Sequence, residues 1–174
     1  PNLSGPIVVY DDEQGYLAGV IADHLSFDEH EVIFITPASV VSPWTESTLE
    51  QKRIQKALLV SGVNVICNKT IDKAEGSNLN LKCVFTGEIS LLKCSSLVMV
   101  TERIPNTTLY DQLVEQENNT EQGEAKHIQL IGDAESPGLI ADAVFLGHLA
   151  AQSFEEPEQE IQKAMFMREM PSLK

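Results

Sequence analysis

Two apolar runs separated by one amphipathic segment constrain the fold of this chain more than any other feature. Residues 7–10 and 30–36 are short and rich in β-branched side chains, which is typical of strands buried on both faces of a parallel sheet. Between them, over residues 16–25, apolar side chains recur at helical spacing. A strand, a helix and a strand within about thirty residues predict a right-handed βαβ unit.

The same alternation continues with a helix over residues 48–59 and a third apolar run at 63–67. The pattern then changes to shorter runs that are separated by Gly-Ser and Thr-Gly pairs, at residues 69–73, 79–85 and 88–93. These runs predict a small antiparallel meander. The fold class is therefore α/β, with a Rossmann-like parallel sheet and a small antiparallel meander.

The second half of the chain alternates again between apolar runs and helical periodicity. The predicted segments are a buried strand at 97–101, a helix at 108–116, an exposed polar loop at 117–126, a strand at 128–133, a helix at 138–154 and a last helix at 158–167. The strand at 128–133 and the helix after it are strongly apolar. Unpaired edges and apolar patches recruit partners, so we expect residues 128–154 to fold back onto the sheet or to be buried against a second copy of the chain.

Charge and cysteine content exclude several classes of protein. The chain has 174 residues, 12 basic and 26 acidic, and a net charge of −14. This charge argues against nucleic acid or an anionic membrane surface as partners, because both are held by basic patches. No apolar run approaches the ~20 residues of a membrane span. Three cysteines without C-x-x-C spacing suggest reduced thiols in a cytoplasmic protein.

The turn after the first strand is the first candidate for a chemical role. Dinucleotide-binding folds place a glycine-rich turn there, which lets the backbone approach the phosphates. Here the turn begins Asp11-Asp12-Glu13, and the second strand ends in Thr36 rather than in an acid for a ribose hydroxyl. Carboxylates repel phosphates, so the sequence predicts a dinucleotide-like domain that binds no dinucleotide. Alternatively, the acids simply cap the following helix through its dipole.

A receiver-like signalling module is the rival interpretation of the same acids. Receiver domains hold Mg²⁺ with an acidic pair after the first strand, as Asp11 and Asp12 could. They also need a phospho-accepting Asp at the end of the third strand, and here that strand is followed by Cys67-Asn68-Lys69. The scattered histidines show no metal-ligand spacing, and there is no G-x-S-x-G nucleophile motif. No active site is therefore predicted within this chain alone.

Two segments together carry a family resemblance. Residues 95–106 resemble the segment of glutathione-reductase-like flavoproteins in which the chain returns from the nicotinamide-nucleotide domain to the flavin-nucleotide domain. Residues 127–133 and the helix after them resemble the second flavin motif, a strand ending in Gly-Asp. Residues 130–145 are similar to the C-terminal region of the trimethylamine, dimethylamine and histamine dehydrogenase family. The resemblance covers most of residues 7–154.

The resemblance implies a parent enzyme much larger than this chain. Family members begin with a barrel that carries FMN and the substrate site, followed by a 4Fe–4S cluster and then by this module, which holds ADP in the amine dehydrogenases. Related dienoyl-CoA reductases keep working FAD and NADPH sites in it. The chain is then a C-terminal fragment, non-catalytic by itself, with a structural or ADP-binding role and no cofactor of its own. Its partners are the missing N-terminal barrel and the first half of the flavin-like domain. The alternative is a non-catalytic interaction or receiver-like module.

By the same resemblance, four residues would contact a nucleotide: Thr101, Arg103, Gly132 and Asp133. Asp133 would bind the nucleotide sugar, or else cap the next helix. Glu102 departs from the family pattern, since reductases commonly carry Gly there. The implied organisation is a linker or boundary at 1–6, a degenerate NAD(P)-binding-like Rossmann domain at 7–94, a return segment of a second, glutathione-reductase-like nucleotide domain at 95–154, and a charged tail at 155–174.

Overall fold

The structure is a computed structural model that describes residues 5–119 and 128–154. The chain divides into two compact units, Pro1–Glu102 and Arg103–Lys174. No helix in the described part is long and apolar enough to cross a membrane. The helix predicted at 158–167 lies outside the described residues.

The first unit contains seven strands, two α-helices and a 3₁₀ turn. In chain order they are β1 (Ile7–Asp11), α1 (Leu17–Phe27), β2 (Val32–Ile35), the 3₁₀ turn (Pro43–Glu46), α2 (Gln51–Val60), β3 (Asn64–Ile66), β4 (Lys69–Glu75), β5 (Asn78–Cys83), β6 (Ile89–Lys93) and β7 (Ser96–Val100). β1, β2, β3 and β7 form one parallel sheet in the order β3-β2-β1-β7. β4, β5 and β6 form a separate antiparallel sheet. Both the Rossmann-like sheet and the meander are confirmed.

The parallel sheet is covered on both faces. Alternate side chains of β1 point to opposite faces, as the period of a strand requires. Val9 belongs to the core cluster shared with α1 and α2, whereas Val8 and Tyr10 belong to the cluster shared with the meander. The first unit is thus a three-layer structure in which helices, parallel sheet and meander follow one another. All five residues of β1 are buried, which explains why its sequence is almost wholly apolar.

α1 and α2 approach each other closely at one glycine. A Cβ built on Gly19 would lie 2.7 Å from the Cγ2 atom of Ile54, closer than any real contact. Gly19 is buried in α1, and α2 presents Ile54 to it. The glycine therefore sets the distance between the two helices.

The second unit contains α3 (Thr108–Asn119), a 3₁₀ turn (Gly132–Ala134) and α4 (Ile140–Ser153). The predicted strand at 128–133 is wrong: residues 128–131 belong to no strand, and the 3₁₀ turn begins at Gly132. A strand is stabilised by hydrogen bonds to a neighbour. The described residues of this unit include no strand that could serve as one. The described strands of the parallel sheet are β3, β2, β1 and β7, and residues 128–131 are not among them.

Candidate functional site

The turn between β1 and α1 uses its own backbone amides. The N–H groups of Asp12 and Glu13 both donate to the carbonyl oxygen of Val100, at 2.8 and 3.2 Å. The N–H of Gln14 donates to Asp11 Oδ1 at 2.8 Å. These hydrogen bonds tie the carboxyl ends of β1 and β7 together, at the crevice where an open α/β sheet usually holds a ligand. Three consecutive amides are thus directed inward, where a phosphate cannot reach them.

Asp11 is part of the framework of this turn. Its side chain is fully buried, and its Oδ2 atom has no hydrogen-bond partner among the described residues. Burial raises the pKa of Asp11 to about 6, against the lowering effect of the Gln14 N–H, and the charges of Glu13 and Asp12 raise it further. α1 has no acidic residue in its first turn and no side-chain cap. The helix-capping interpretation of the three acids is therefore wrong.

The end of β2 is likewise not accessible to a ligand. Thr36 is fully buried, and its Oγ1 accepts a hydrogen bond from the N–H of Ala38 at 3.2 Å. Its backbone N–H donates to Ile66 O of the neighbouring strand. A buried hydroxyl that holds its own loop is not available to a ribose. A dinucleotide site needs a phosphate-binding turn and a ribose-binding position. In this protein the polar groups at both positions form hydrogen bonds within the chain instead.

The described residues contain no phosphotransfer site of the kind that the receiver-like interpretation requires. Cys67 and Asn68 follow β3, where the phospho-accepting Asp would stand. Asn68 has a left-handed φ of 60° and bonds through its backbone to Ala38 and Val84. The carboxylate expected to share Mg²⁺, Asp11, is buried. Among the described residues, no group of three His, Cys, Asp or Glu could hold a metal ion.

The four residues implied by the family resemblance lie in two different units. Thr101 follows β7 near the end of the first unit and is exposed, as is Arg103 at the start of the second. Gly132 and Asp133 stand side by side in the 3₁₀ turn before α4. Gly132 has a φ of 59°, which strains any side chain. Of the four residues, Gly132 and Asp133, which are also adjacent in the sequence, share one turn.

Asp133 and Asp142 accept different hydrogen bonds near the start of α4, and the sequence could not show which of the two caps the helix. Asp133 Oδ1 accepts a hydrogen bond from the N–H of Gly138 at 3.2 Å, which closes the loop before the helix. Asp142 Oδ2 accepts from the N–H of Leu139 at 2.7 Å and so caps α4. The suggestion that Asp133 caps α4 is wrong. Its carboxylate is exposed on the turn.

One reactive group was missed by sequence reasoning. The side chain of Thr86 hydrogen-bonds to the thiol of Cys83, and together with the backbone of Thr86 and Phe85 it lowers the pKa of that thiol to about 7. Burial instead raises the pKa of Cys67 and of Cys94. All three cysteines are free. No nearby histidine marks Cys83: its pKa is lowered mainly by the hairpin that the chain forms between β5 and β6, and further by the charge of Lys69 on β4.

Comparison with known proteins finds relatives among the amine dehydrogenases. The dimethylamine dehydrogenase of Hyphomicrobium sp. (strain x) is 26% identical in an alignment 175 positions long that covers 90% of this chain. The solved histamine dehydrogenase of Rhizobium sp. 4-9 is 31% identical, with a TM-score of 0.84 over 90% of this chain. The chain is a homologue of the C-terminal module of the trimethylamine dehydrogenase family. No family model matches it.

This module spans about a quarter of the relatives it matches, since it covers 24% of each of those two enzymes. The 6-hydroxypseudooxynicotine amine oxidase of Pseudomonas geniculata N1 gives a similar result, with 27% identity and a TM-score of 0.80 over 86% of the module and 22% of the oxidase. The thioredoxin reductase of T. acidophilum is 17% identical with a TM-score of 0.59, so it shares only the fold. The module thus shares the fold of about half of that reductase, since it covers 54% of the reductase chain.

Proposed function

We propose that the module is the nucleotide-binding-like, non-catalytic part of an FMN- and 4Fe–4S-containing amine oxidoreductase. One observation carries this proposal: 90% of the chain is homologous to only 24% of an enzyme named for the oxidation of dimethylamine. The closed turn between β1 and α1 supports a structural role rather than pyridine-nucleotide chemistry. The three free thiols support a cytoplasmic location for the whole protein.

The residues present do not fit an iron–sulfur cluster. A 4Fe–4S cluster needs four thiolates close together, and the chain has three cysteines. Cys94 is buried, and Cys67 and Cys83 are partly buried. In the described part, no group of His, Cys, Asp and Glu is clustered enough to bind a metal. Substrate oxidation and electron transfer are therefore assigned to the rest of the protein.

Part of an ADP site does fit. The positive φ of Gly132 keeps this backbone position free of a side chain, so a nucleotide can approach closely. The exposed carboxylate of Asp133 is suited to the hydroxyls of a ribose, and the guanidinium of Arg103 and the hydroxyl of Thr101 are suited to a phosphate. Glu102, which stands between Thr101 and Arg103 in the sequence, opposes phosphate binding there because it is negatively charged. We propose that each of these four residues contacts the nucleotide from its own unit, Thr101 from the first and Arg103, Gly132 and Asp133 from the second.

The proposed partner of the second unit is the first half of the flavin-like domain, which the family resemblance implies. α4 has no buried residue, and three of its large apolar side chains are more than half exposed: Ile140 at 85%, Phe145 at 61% and Val144 at 54%. Burial of such side chains stabilises a protein by roughly 1.5–3 kcal/mol each. An apolar helix of this kind is suited to the interior of a larger domain.

A chimera tests the proposal. The chain would replace the corresponding C-terminal segment of the Rhizobium histamine dehydrogenase. We expect the chimera to purify with its flavin and iron–sulfur absorption intact and with ADP that acid releases. We expect Asp133→Ala to lower the ADP content, whereas the matched variant Glu135→Ala, an exposed acid two residues away, leaves it unchanged.

The isolated chain provides the second half of the test. It is expected to purify colourless and to oxidise no amine, because the catalytic groups lie elsewhere. A flavin or iron–sulfur absorption band in the purified chain would contradict the proposal that these groups are bound by the rest of the protein. Equal ADP content in the Asp133→Ala and Glu135→Ala chimeras would remove Asp133 from the site.

A further inference from the structure

Two buried polar atoms of the described residues have no hydrogen-bond partner there, Asp11 Oδ2 and Ser42 Oγ. Both side chains are fully buried. A buried polar group without a partner costs free energy, so native structures contain few of them. Asp11 ends β1 and begins the β1–α1 turn, whereas Ser42 lies in the loop after β2, the strand that pairs with β1. Both atoms therefore belong to loops that follow the carboxyl ends of neighbouring parallel strands.

These two loops also contain left-handed backbone at residues other than glycine. The φ angle is 60° at Gln14, 49° at Ser42 and 62° at Leu49. Residues with a side chain rarely adopt this region, and a bulky residue such as leucine is an outlier there. Leu49 is also 90% exposed, so burial of its side chain does not offset the strain. The conformation of the two loops is therefore strained, and other contacts must hold it.

A hydrogen bond joins the loop after β2 to the β1–α1 turn: the backbone N–H of Trp44 donates to Gln14 O at 3.2 Å. The loop also has internal contacts, since the N–H and the Oγ1 of Thr45 donate to Ser42 O at 3.0 and 2.7 Å. We call residues 42–49 the Trp44 loop. Because these internal hydrogen bonds do not involve the turn, the Trp44 loop can separate from the turn when the bond from Trp44 to Gln14 breaks.

The segments around Asp11 carry no basic residue. The titratable residues of β1, the β1–α1 turn, the flanking strands β2 and β7, the first turn of α1 and the Trp44 loop are Tyr10, Asp11, Asp12, Glu13, Tyr16 and Glu46. Burial raises the pKa of Asp11 most, the Gln14 N–H lowers it, and the charges of Glu13 and Asp12 raise it further. Ionisation of Asp11 is therefore unfavourable while its side chain stays buried, and contact with water relieves this cost.

We propose that the Trp44 loop is a latch controlled by Asp11, closed while Asp11 is protonated and opened when Asp11 ionises. Opening breaks the hydrogen bond between Trp44 and Gln14, and it lets water reach Asp11 Oδ2 and Ser42 Oγ. The bond from the Gln14 N–H to Asp11 Oδ1 strengthens when the carboxylate is charged. The β1–α1 turn therefore keeps its shape, and the Trp44 loop is the part that moves.

The direction of the pH dependence follows from the two forms of the latch. In the closed form the pKa of Asp11 is about 6, against 3.8 for a free Asp, so the closed form binds the proton more tightly. Protonation therefore favours the closed latch fully below pH 3.8, and this preference is lost as the pH rises through about 6. Above that pH, opening no longer changes with pH.

Amide hydrogen exchange of the 174-residue chain, followed by NMR, tests the latch at the N–H of Trp44. We expect its protection factor to fall by up to about 100-fold between about pH 3.5 and about pH 7, because the two pKa values differ by about two units. Phe34 is fully buried in the inner strand β2, so its N–H reports global unfolding. The N–H of Trp44 is expected to be less protected than that of Phe34 throughout this range.

Two carboxylate variants show which group controls the latch. Asp11→Asn keeps an acceptor for the Gln14 N–H but cannot ionise, so the protection of Trp44 is expected to show no such fall. Glu46→Gln is the matched control, since it removes an exposed carboxylate from the Trp44 loop itself. This control is expected to keep the full fall of the parent chain.

Ser42→Ala tests the latch independently, through the second buried atom. It removes the hydroxyl that has no partner when the loop is closed, so we expect the protection of Trp44 to rise several-fold at every pH and to keep its pH dependence. Circular dichroism verifies that each variant is folded. The proposal is overturned if the protection of Trp44 in the parent chain does not fall with pH or equals that of Phe34. It is also overturned if Asp11→Asn keeps the fall, if Glu46→Gln loses it, or if Ser42→Ala leaves the protection unchanged.

Discussion

At the scale of single residues, Asp11 makes stability depend on pH. Its pKa is about 6 in the folded protein against 3.8 for a free Asp, so the folded state binds the proton more tightly. The contribution of protonated Asp11 to the free energy of unfolding is complete below pH 3.8, and it is lost as the pH rises through about 6. The shift corresponds to about 3 kcal/mol.

Asp11→Asn removes this dependence and keeps an oxygen that can accept the Gln14 N–H. We expect the stability of the variant, relative to the parent chain, to increase by about 3 kcal/mol between about pH 3.5 and about pH 7.5. Urea unfolding at the two pH values measures it. The matched variant Asp72→Asn, at an exposed position, is expected to show no such change. Identical pH profiles of the two variants would contradict the assignment.

Cys83 is expected to be the most reactive thiol of the chain. Its pKa of about 7 makes roughly half of it thiolate at neutral pH, whereas burial raises the pKa of Cys67 and Cys94. Brief treatment with iodoacetamide at neutral pH, followed by peptide mass spectrometry, should find alkylation first at Cys83. Thr86→Val removes the main hydrogen bond and is expected to slow that alkylation several-fold, and to move its pH midpoint upward. Uniform labelling of all three cysteines would refute this.

At the scale of elements, prediction from sequence was accurate where the signal is local. The apolar runs and helical periodicity of residues 7–67 predicted the alternation of strands and helices because burial on both faces leaves a pattern in the chain itself. Residues 128–131 have the same apolar composition, yet they form no strand in the described structure. A strand is completed by its neighbours, and composition alone does not show whether they are present. Likewise, the sequence could not decide whether Asp133 or Asp142 caps α4.

Gly19 and Gly147 allow a paired test of helix packing. Gly19→Ala would place a Cβ 2.7 Å from Ile54, so we expect a loss of roughly 1–3 kcal/mol in the free energy of unfolding. Gly147 lies in α4, and a Cβ added there would meet no atom within 4 Å, so Gly147→Ala is expected to raise helicity without loss of stability. Chemical unfolding and circular dichroism measure the two effects. A Gly19→Ala variant as stable as the parent would show that α1 and α2 can move apart freely.

The β1–α1 turn is expected to bind neither NADH nor NADPH. Its amides at positions 12–14 donate within the protein, and its carboxylates repel phosphates. Isothermal titration with either nucleotide should therefore show no binding in the micromolar range. The double variant Asp12→Asn/Glu13→Gln removes two negative charges. We expect it to show no nucleotide binding in the same titration, because the amides at positions 12–14 still donate hydrogen bonds within the protein. Binding by this variant would mean that charge alone closes the site.

At the scale of the whole molecule, the arrangement of charge was beyond the reach of sequence reasoning. The net charge of −14 gives no sign that four of the twelve basic residues, Lys69, Lys73, Lys82 and Lys93, belong to the meander. The pairing of β5 with β4 and β6 brings Lys73, Lys82 and Lys93 to one side of the sheet, where Lys73 forms an ion pair with Glu75. The family, in contrast, could be recognised from short motifs, since their order along the chain survives at 26–31% identity.

The first unit is expected to fold without the second. Every residue of both core clusters lies between Ile7 and Val100, and the sheet that joins the two clusters is complete within the same range. Because burial of these side chains supplies most of the stabilisation, a chain that ends at Glu102 should unfold cooperatively with the same midpoint in urea as the full chain. Fluorescence of Trp44, which lies in the first unit, reports this transition in both chains. Far-UV circular dichroism should show less helix in the shorter chain, because α3 and α4 are removed. A truncated chain that is unfolded, or whose midpoint falls well below that of the full chain, would show that residues after 102 supply part of the core.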